Sequence, residues 1–424
     1  MKKYQQIYEQ YRQDILAGRL LPGQKLPSLR ETVRRTGLSQ TTVETAYEKL
    51  ADEGYIQSQP QKGWFVHVDE RRLQLLRKLD QKPELEPACA IDLRPLSIHP
   101  STFELKLWKK YLRNVLDDEQ ALAVYGSSQG ERPLRESLAH YAYKSRRLLA
   151  SSENIIVGPG FQYLLMILCS LYDTPMTVGM EAGKAAQARY IFQRCGWHVL
   201  DLKSDEEGIL PEELARPFDI LYLTSACQGT RNRPLRQHLE RYQSLFLIED
   251  DYNGELTYMS GERDALCARW PGNIYMGSFS RVLVPGLRLA YMVLPDPLMN
   301  TFLANKTKYG PGASKFEQLA LARYISDGSL MRHIRQLNRL YRKRCEKARR
   351  ILESHGLACQ LNEAYLSFDI FCQDPEAPRK ALKQAGIRVQ WNGNVAAASF
   401  ASVKEEELES AFEKLAACMK QRNV

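Results

Sequence analysis

Residues 15–56 read ILAGRLLPGQKLPSLRETVRRTGLSQTTVETAYEKLADEGYI, and this stretch decides the fold of the N-terminal domain. Ser28 stands where a helix cap is expected, and Glu31 follows three residues later, which is the pattern of a capping box. Gly37 then supplies a residue that accepts the left-handed backbone of a helix end. The pattern predicts a short helix between Ser28 and Gly37.

A second helix is expected to start at Ser39 and to end at Gly54, and a further helix precedes residue 21. The apolar residues that recur at helical spacing in these two helices are Ile7, Tyr11, Ile15, Leu16, Val43, Ala46, Tyr47 and Leu50. Two strand-like runs, Tyr55–Ser58 and Trp64–Val68, flank a turn. Three helices followed by a hairpin predict a winged helix-turn-helix domain over residues 1–68.

Polar residues cluster where a recognition helix would begin, and such residues can reach base edges in the major groove. The preceding helix carries arginines suited to phosphate contact, Arg35 among them, and the hairpin tip carries a lysine. The predicted DNA contacts are Arg30, Arg34, Ser39, Gln40, Thr41, Thr42 and Lys62. The alternative is that these residues are solvated positions on a small protein-binding domain.

Two segments carry a specific family resemblance. Ile15–Arg30 and Leu38–Ile56 resemble the signature of the GntR-type winged helix, over the whole first domain. The resemblance implies a double-stranded DNA operator as partner, contacted by Arg30 and by residues 39–42. It supports the same residues that the helix pattern selects.

The rest of the chain alternates strand-like and helix-like segments, which predicts an α/β sheet with helices on both faces. The apolar runs of buried strands are Ile155–Val157, Phe218–Leu223, Leu245–Ile248, Ile274–Met276 and Tyr291–Leu294. We expect a linker over residues 69–90, a large domain over 91–424 and a small α+β lobe from about residue 345. A long basic helix, Leu330–Leu352, bridges to this lobe. The chain thus combines α+β and α/β parts.

Composition restricts the class of protein. The chain has 424 residues, a formal net charge of +9 and nine cysteines without a C-x-x-C pair or metal-ligand spacing. We therefore expect reduced cysteines, no metal site and a cytoplasmic location. The N-terminus lacks the apolar stretch of a signal peptide, and no apolar run is long enough to span a bilayer. The basic excess suits a polyanionic partner.

Four segments of the large domain resemble motifs of fold-type I aminotransferases, and specifically the MocR subfamily of GntR regulators. They are Tyr125–Arg135, Ile248–Tyr252, Ser278–Leu289 and Gly328–Tyr341, and together they extend the resemblance over most of the chain. It implies an aminotransferase-like sensor that binds pyridoxal 5′-phosphate. It also implies a homodimer, often head-to-tail, in which each DNA-binding domain lies against the partner's large domain.

The resemblance places Arg281 where these proteins carry the lysine that forms an imine with the cofactor aldehyde. A guanidinium has a pKa above about 12 and forms no Schiff base. We therefore expect no covalently bound cofactor, and pyridoxal phosphate could bind only noncovalently. Lys184, Lys306, Lys308 and Lys315 are the alternative amines that the sequence offers.

Other positions of the cofactor site match in part. By resemblance, Asp250 pairs with the pyridine nitrogen, Tyr252 lies beside the ring oxygen, and Ser278 and Arg288 bind the phosphate. Asp250 and Arg288 have a structural alternative, as packing groups or an internal ion pair. The segments that depart from the family pattern are 160–163, 180–184, 227–232 and 395–400, where the last lacks the arginine that grips a substrate carboxylate.

Three hypotheses remain. The favoured one is a DNA-binding regulator whose large domain dimerises and senses a ligand, with Arg281, Arg288 and Ser278 forming an anion pocket. The second is a pyridoxal-phosphate-dependent enzyme or a regulator that holds the cofactor noncovalently. The third is a large domain that serves only in dimerisation or protein contact. His333 is expected on a solvated or interface surface, because its helix is rich in arginine.

Overall fold

A computed structural model of the chain describes residues 3–69, 71–75, 91–95, 98–205, 208–224, 246–259, 264–270 and 272–420. The chain divides into two compact units, Met1–Ala88 and Cys89–Val424. Most of the predicted linker, 69–90, lies outside the described residues, as does the predicted loop 227–232. The domain limits drawn from the sequence remain predictions.

Residues 3–66 of the N-terminal unit form three helices and a hairpin. The helices are α1 Lys3–Leu16, α2 Leu29–Thr36 and α3 Gln40–Asp52. Strand β1, Ile56–Gln59, pairs antiparallel with β2, Gly63–Val66. This arrangement confirms the winged helix that the sequence predicts.

Local capping sets the ends of α2. The Ser28 hydroxyl oxygen accepts a hydrogen bond from the backbone N–H of Glu31 at 3.2 Å. Gly37 adopts φ 68°, and its N–H donates to the carbonyl of Val33 at 2.8 Å. Because a side chain with a Cβ pays a penalty in this left-handed region, glycine is the residue that ends the helix here.

A buried chain of hydroxyl groups fixes α3 against α1 and α2. Tyr47 of α3 donates to the Pro27 carbonyl at 2.9 Å and lies 3.0 Å from the Thr32 hydroxyl. Thr32 in turn lies 3.3 Å from the Tyr11 hydroxyl. Thr32 and Tyr47 are completely buried, so the hydrogen bonds satisfy polar groups that water cannot reach. The network sets the orientation of the predicted recognition helix.

The large unit is built on a seven-stranded sheet in the order β4-β12-β11-β10-β9-β5-β6. The strands up to β12 are β3 Ile91–Asp92, β4 Ile155–Gly158, β5 Thr177–Glu181, β6 His198–Leu202, β7 Ser204–Asp205, β8 Gly208–Ile209, β9 Ile220–Thr224, β10 Phe246–Asp251, β11 Ile274–Ser278 and β12 Ala290–Val293. All strands of this sheet are parallel except β12, which is antiparallel to both of its neighbours. The mainly parallel sheet predicted from the sequence is confirmed.

Both faces of this sheet are covered. Ile156 and Ile248 contribute to one hydrophobic core, while the next or preceding residues, Val157 and Leu247, contribute to the other. The α-helices among the described residues of the unit are α4 Leu105–Leu116, α5 Glu119–Leu122, α6 Arg132–Arg146, α7 Phe161–Ser170, α8 Ala186–Arg194, α9 Asp296–Ala304, α10 Lys315–Ser326, α11 Ser329–Ser354, α12 Glu376–Gln384 and α13 Glu405–Met419. Apolar residues on both faces of each strand are typical of α/β sheets.

A second, antiparallel sheet forms the C-terminal lobe, in the order β13-β14-β17-β16. Its strands are β13 Cys359–Asn362, β14 Ser367–Phe371, β16 Gln390–Asn392 and β17 Val395–Ser399. The short strand β15, Ile387–Arg388, pairs parallel with β3, Ile91–Asp92. The first described residues of the large unit thus pair with residues near the C-terminal end of the chain. No helix in the described part of the chain is long and apolar enough to cross a membrane.

Candidate functional sites

The first turn of α3 presents polar side chains outward. Gln40 and Thr41 are exposed, and Thr42 is half-buried. Ser39 is the N-cap, and its hydroxyl oxygen accepts from the Thr42 N–H at 3.3 Å and lies 2.7 Å from the Thr42 hydroxyl. The Thr41 hydroxyl also lies 3.2 Å from the Ser39 hydroxyl. Gln40 is therefore the exposed side chain of this turn that takes no part in these contacts.

The basic residues predicted to contact DNA are exposed as well. Arg30 and Arg34 lie exposed on α2, and Lys62 lies exposed in the turn between the two strands of the wing. Arg35 differs, because its Nη2 donates to the Tyr11 hydroxyl at 2.9 Å. Arg35 therefore stabilises the packing of α2 on α1.

In the large unit, a cavity of about 1560 Å³ contains all five residues predicted to bind a ligand: Asp250, Tyr252, Ser278, Arg281 and Arg288. The sheet register explains why they meet. Ala290 of β12 pairs with Ser278 on one side and with Gly158 on the other. The carboxyl ends of β4, β10 and β11 consequently lie on the same side of the sheet, which is where ligands bind in open α/β folds.

Arg281 is the most unusual residue of the cavity. Arg281 is only 2% exposed, and its Nε donates a hydrogen bond to the Tyr252 hydroxyl at 3.0 Å. The two terminal nitrogens, Nη1 and Nη2, are buried and have no hydrogen-bond partner among the described residues. No carboxylate of those residues forms an ion pair with Arg281 either. A buried charge without a counter-ion is strongly unfavourable, so this guanidinium provides a site for an anion.

Asp250 faces the cavity from the end of β10. Burial raises the pKa of its carboxyl to about 7, against the opposing effect of a hydrogen bond from the Tyr222 hydroxyl to Oδ2 at 2.6 Å. The neighbouring residues Glu249 and Asp251 point to the opposite face of the strand. There Asp251 forms a buried ion pair of 2.6 Å with Arg146. Strand alternation thus separates one carboxyl for the cavity from two that serve the core.

Arg288 lies at the N-terminus of α7. Its Nη2 donates to Oε1 of Gln162 at 2.9 Å. Gly160, the residue before α7, adopts φ 113°, and a Cβ there would lie 2.8 Å from Arg288 Nη2. No side chain of the described residues caps this helix, so its first backbone N–H groups and Arg288 together favour an anion. Ser278 lines the same cavity and donates to the Ser280 hydroxyl at 3.3 Å.

The alternative lysines are placed unfavourably for imine chemistry. Of the four, Lys184 lines the cavity, where its ammonium forms an ion pair with Glu181. Lys308 donates to Asn305 and Lys315 to the carbonyl of Val124. Lys184 is therefore the single lysine among the described residues that line the cavity.

Several residues of the site were not predicted from the sequence. Tyr222 and Gln162, the partners of Asp250 and Arg288, lie on other elements of the fold, and Arg349 lines the cavity from α11. Gln162 lies in segment 160–163, which departs from the family pattern, whereas only the sheet order could have revealed Tyr222. The prediction for His333 is wrong: the residue is 1% exposed, and its Nε2 lies 2.8 Å from the Val282 carbonyl. Successive side chains of a helix are rotated by about 100° around its axis, so the neighbouring arginines lie on the outer face while His333 points inward.

Together the winged helix and the second unit define a helix-turn-helix transcription regulator with an aminotransferase-like domain. The model of "Bacterial regulatory proteins, gntR family" matches residues 3–66. The uncharacterized HTH-type transcriptional regulator YdeL of Bacillus subtilis is 32% identical over 98% of this chain and 96% of its own length. This protein belongs to the gntR family of bacterial regulatory proteins.

Other relatives agree with this assignment. The pyridoxine biosynthesis regulator PdxR of Corynebacterium glutamicum is 30% identical over 80% of this chain and 76% of its own. Among solved structures, an archaeal alanine:glyoxylate aminotransferase aligns with a TM-score of 0.68 and 20% identity, over 82% of this chain and 93% of its own. The Pyrococcus horikoshii kynurenine aminotransferase aligns with a TM-score of 0.65 and 23% identity, over 83% and 94%. At this identity the structural likeness defines the fold of the large unit.

Proposed function

We propose that this regulator binds operator DNA as a homodimer and that its aminotransferase-like unit holds a small anionic effector without catalysing amino transfer. The observation that carries the proposal is the buried guanidinium of Arg281, whose Nη1 and Nη2 have no partner among the described residues. A buried charge without a counter-ion destabilises the fold, and an anionic ligand that neutralises the charge removes this cost. The two-fold symmetry of a dimer would place two recognition helices on paired half-sites.

The residues present fit pyridoxal phosphate only in part. Asp250 could face a pyridine nitrogen, and Arg288 with the N-terminus of α7 could hold a phosphate. Pyridoxal phosphate supplies an aldehyde that captures amines, but the side chain at position 281 is a guanidinium, which neither forms an imine nor moves a proton near neutral pH. Lys184, the lysine that lines the cavity, is paired with Glu181. Noncovalent binding is therefore the form of cofactor binding that the site supports.

Titration of the purified protein with pyridoxal phosphate tests this proposal, with Arg281→Lys measured beside it. We expect no imine absorbance in the wild type, no label retained after borohydride reduction, and no amino transfer from an amino-acid donor. Arg281→Lys should gain an absorbance band that borohydride removes. Covalent trapping in the wild type together with turnover would refute the loss of catalysis.

A further inference from the structure

The donors that Arg281 leaves unused have a defined geometry. Its Nε is occupied by the Tyr252 hydroxyl, and the guanidinium carbon lies 5.9 Å from the centre of the Tyr252 ring. The side chain is therefore oriented, and its Nη1 and Nη2 remain for one acceptor group. Two N–H donors in a plane match the two oxygens of a carboxylate, which is the geometry that arginine binds most specifically.

A phosphate fits this position less well. A phosphate monoester has three charged or polar oxygens, and a buried oxygen without a donor loses its hydration without replacement. A carboxylate presents only two oxygens, both of which Nη1 and Nη2 of Arg281 can bind. The exposure of 2% at Arg281 leaves little water to solvate a third.

The second anionic position is separate from the first. Arg288 donates a hydrogen bond to Gln162, which follows β4, whereas Arg281 donates one to Tyr252, which follows β10. These strands are three places apart in the sheet, so different parts of the fold hold the two guanidinium groups in place. The Arg288 guanidinium also lies against Gly160, beside the N-terminus of α7. The two arginines thus form two binding points in one cavity.

We infer that the effector carries two anionic groups: a phosphate, held at Arg288 and the N-terminus of α7, and a carboxylate, held by Nη1 and Nη2 of Arg281. The inference rests on the proposed effector-binding function and names the chemical class of its ligand, a phosphorylated carboxylic acid. Arg281 determines specificity, because a ligand without the carboxylate leaves the buried charge unneutralised. Arg288 and the helix contribute affinity for any phosphate monoester.

Isothermal titration with two matched probes tests the inference. Pyridoxine 5′-phosphate and 4-pyridoxic acid 5′-phosphate differ in one ring substituent, a hydroxymethyl group or a carboxylate. We expect the wild type to bind the carboxylate probe about 10- to 100-fold more tightly, which is the range for hydrogen bonds to a charged group. Arg281→Met should abolish this preference, and Arg288→Met should weaken both probes alike. Arg335→Met, a change at an exposed arginine of α11, is the control.

The outcomes separate the two proposals. If both probes bind the wild type equally, the carboxylate assignment is overturned while the anionic effector stands. If neither probe binds, the carboxylate assignment is overturned. If excess inorganic phosphate also leaves the melting temperature unchanged, the anionic effector is overturned as well. The wild-type comparison decides the point even if Arg281→Met unfolds, and Arg281→Gln, which keeps hydrogen-bond donors without the charge, provides a second variant.

Discussion

The Nε of Arg281 donates to the Tyr252 hydroxyl at 3.0 Å, and this is the one hydrogen bond of its guanidinium to the described residues. Tyr252 follows β10 and Arg281 follows β11, so the contact joins two neighbouring parallel strands at their carboxyl ends. The bond orients a buried cation without neutralising it. The buried, unpaired charge therefore lowers the stability of the ligand-free protein, and an anionic ligand can remove this loss.

Removing this charge should stabilise the ligand-free protein. Arg281→Met replaces a buried, unpaired cation by an apolar side chain of similar length, and we expect the free energy of unfolding to rise by about 1–4 kcal/mol. Thermal and urea denaturation of ligand-free protein measure the change. Arg335→Met, at an exposed position, should leave stability within about 0.5 kcal/mol of the wild type. A loss of stability in Arg281→Met would mean that another part of the chain supplies the counter-ion.

Asp250 should make stability depend on pH. Its pKa is raised by burial from its ordinary value near 4 to about 7, so the folded state binds more protons than the unfolded state between these values. Stability from this group therefore falls as pH rises from 4 to 7. Asp250→Asn should be more stable than the wild type by up to about 4 kcal/mol above pH 7, at about 1.4 kcal/mol per pKa unit, and the gain should vanish near pH 4.

Urea denaturation of Asp250→Asn and wild type at pH 5 and pH 8 checks this dependence. Burial also raises the pKa values of Glu249 and Glu255 to about 7, so part of the wild-type pH dependence should persist in the variant. A stability difference that is equal at both pH values would show that Asp250 keeps an ordinary pKa. The predicted sign depends on burial outweighing the bond from Tyr222.

The hydroxyl network of the N-terminal unit should support α3. Tyr47→Phe removes the donor to the Pro27 carbonyl and the partner of the Thr32 hydroxyl, both of them buried. We expect a loss of about 1–3 kcal/mol from unsatisfied polar groups and weaker DNA binding through misplacement of α3. Calorimetry of the full chain measures the first effect. Tyr125→Phe, at a residue that is 94% exposed, should change nothing.

Two substitutions should separate base recognition from phosphate contact. Gln40→Ala removes an exposed amide from the first turn of α3, and we expect about 1–3 kcal/mol of lost affinity for the specific operator alone. Lys62→Ala should weaken binding to all DNA sequences and lower the slope of affinity against salt by about one ion. Fluorescence anisotropy with an operator selected from random DNA, at several salt concentrations, makes the measurement. If neither variant differs from the wild type, the recognition helix is wrongly assigned.

The sequence by itself determined the features that depend on local chain chemistry. Ser28, Glu31 and Gly37 specify the ends of α2 through neighbouring backbone groups, and the structure agrees with each. Apolar runs located β4 and β9–β12, because a strand buried on both faces needs continuous hydrophobic residues. Strands β5 and β6 were missed. β5 contains Gly179 and ends in Glu181, and β6 lies at the sheet edge with partly exposed residues.

Only the tertiary structure decided what depends on contacts distant in sequence. The direction of β12, the pairing of Ile91 with Ile387 and the hydrogen bond from Tyr222 to Asp250 all follow from strand order, which local propensity does not encode. The sequence could place an arginine at position 281. That its guanidinium is buried with two unused donors depends on how β10 and β11 bring their ends together around it. The sequence specifies which side chain stands at each position, whereas the burial of that side chain and its hydrogen-bond partners depend on how the chain packs.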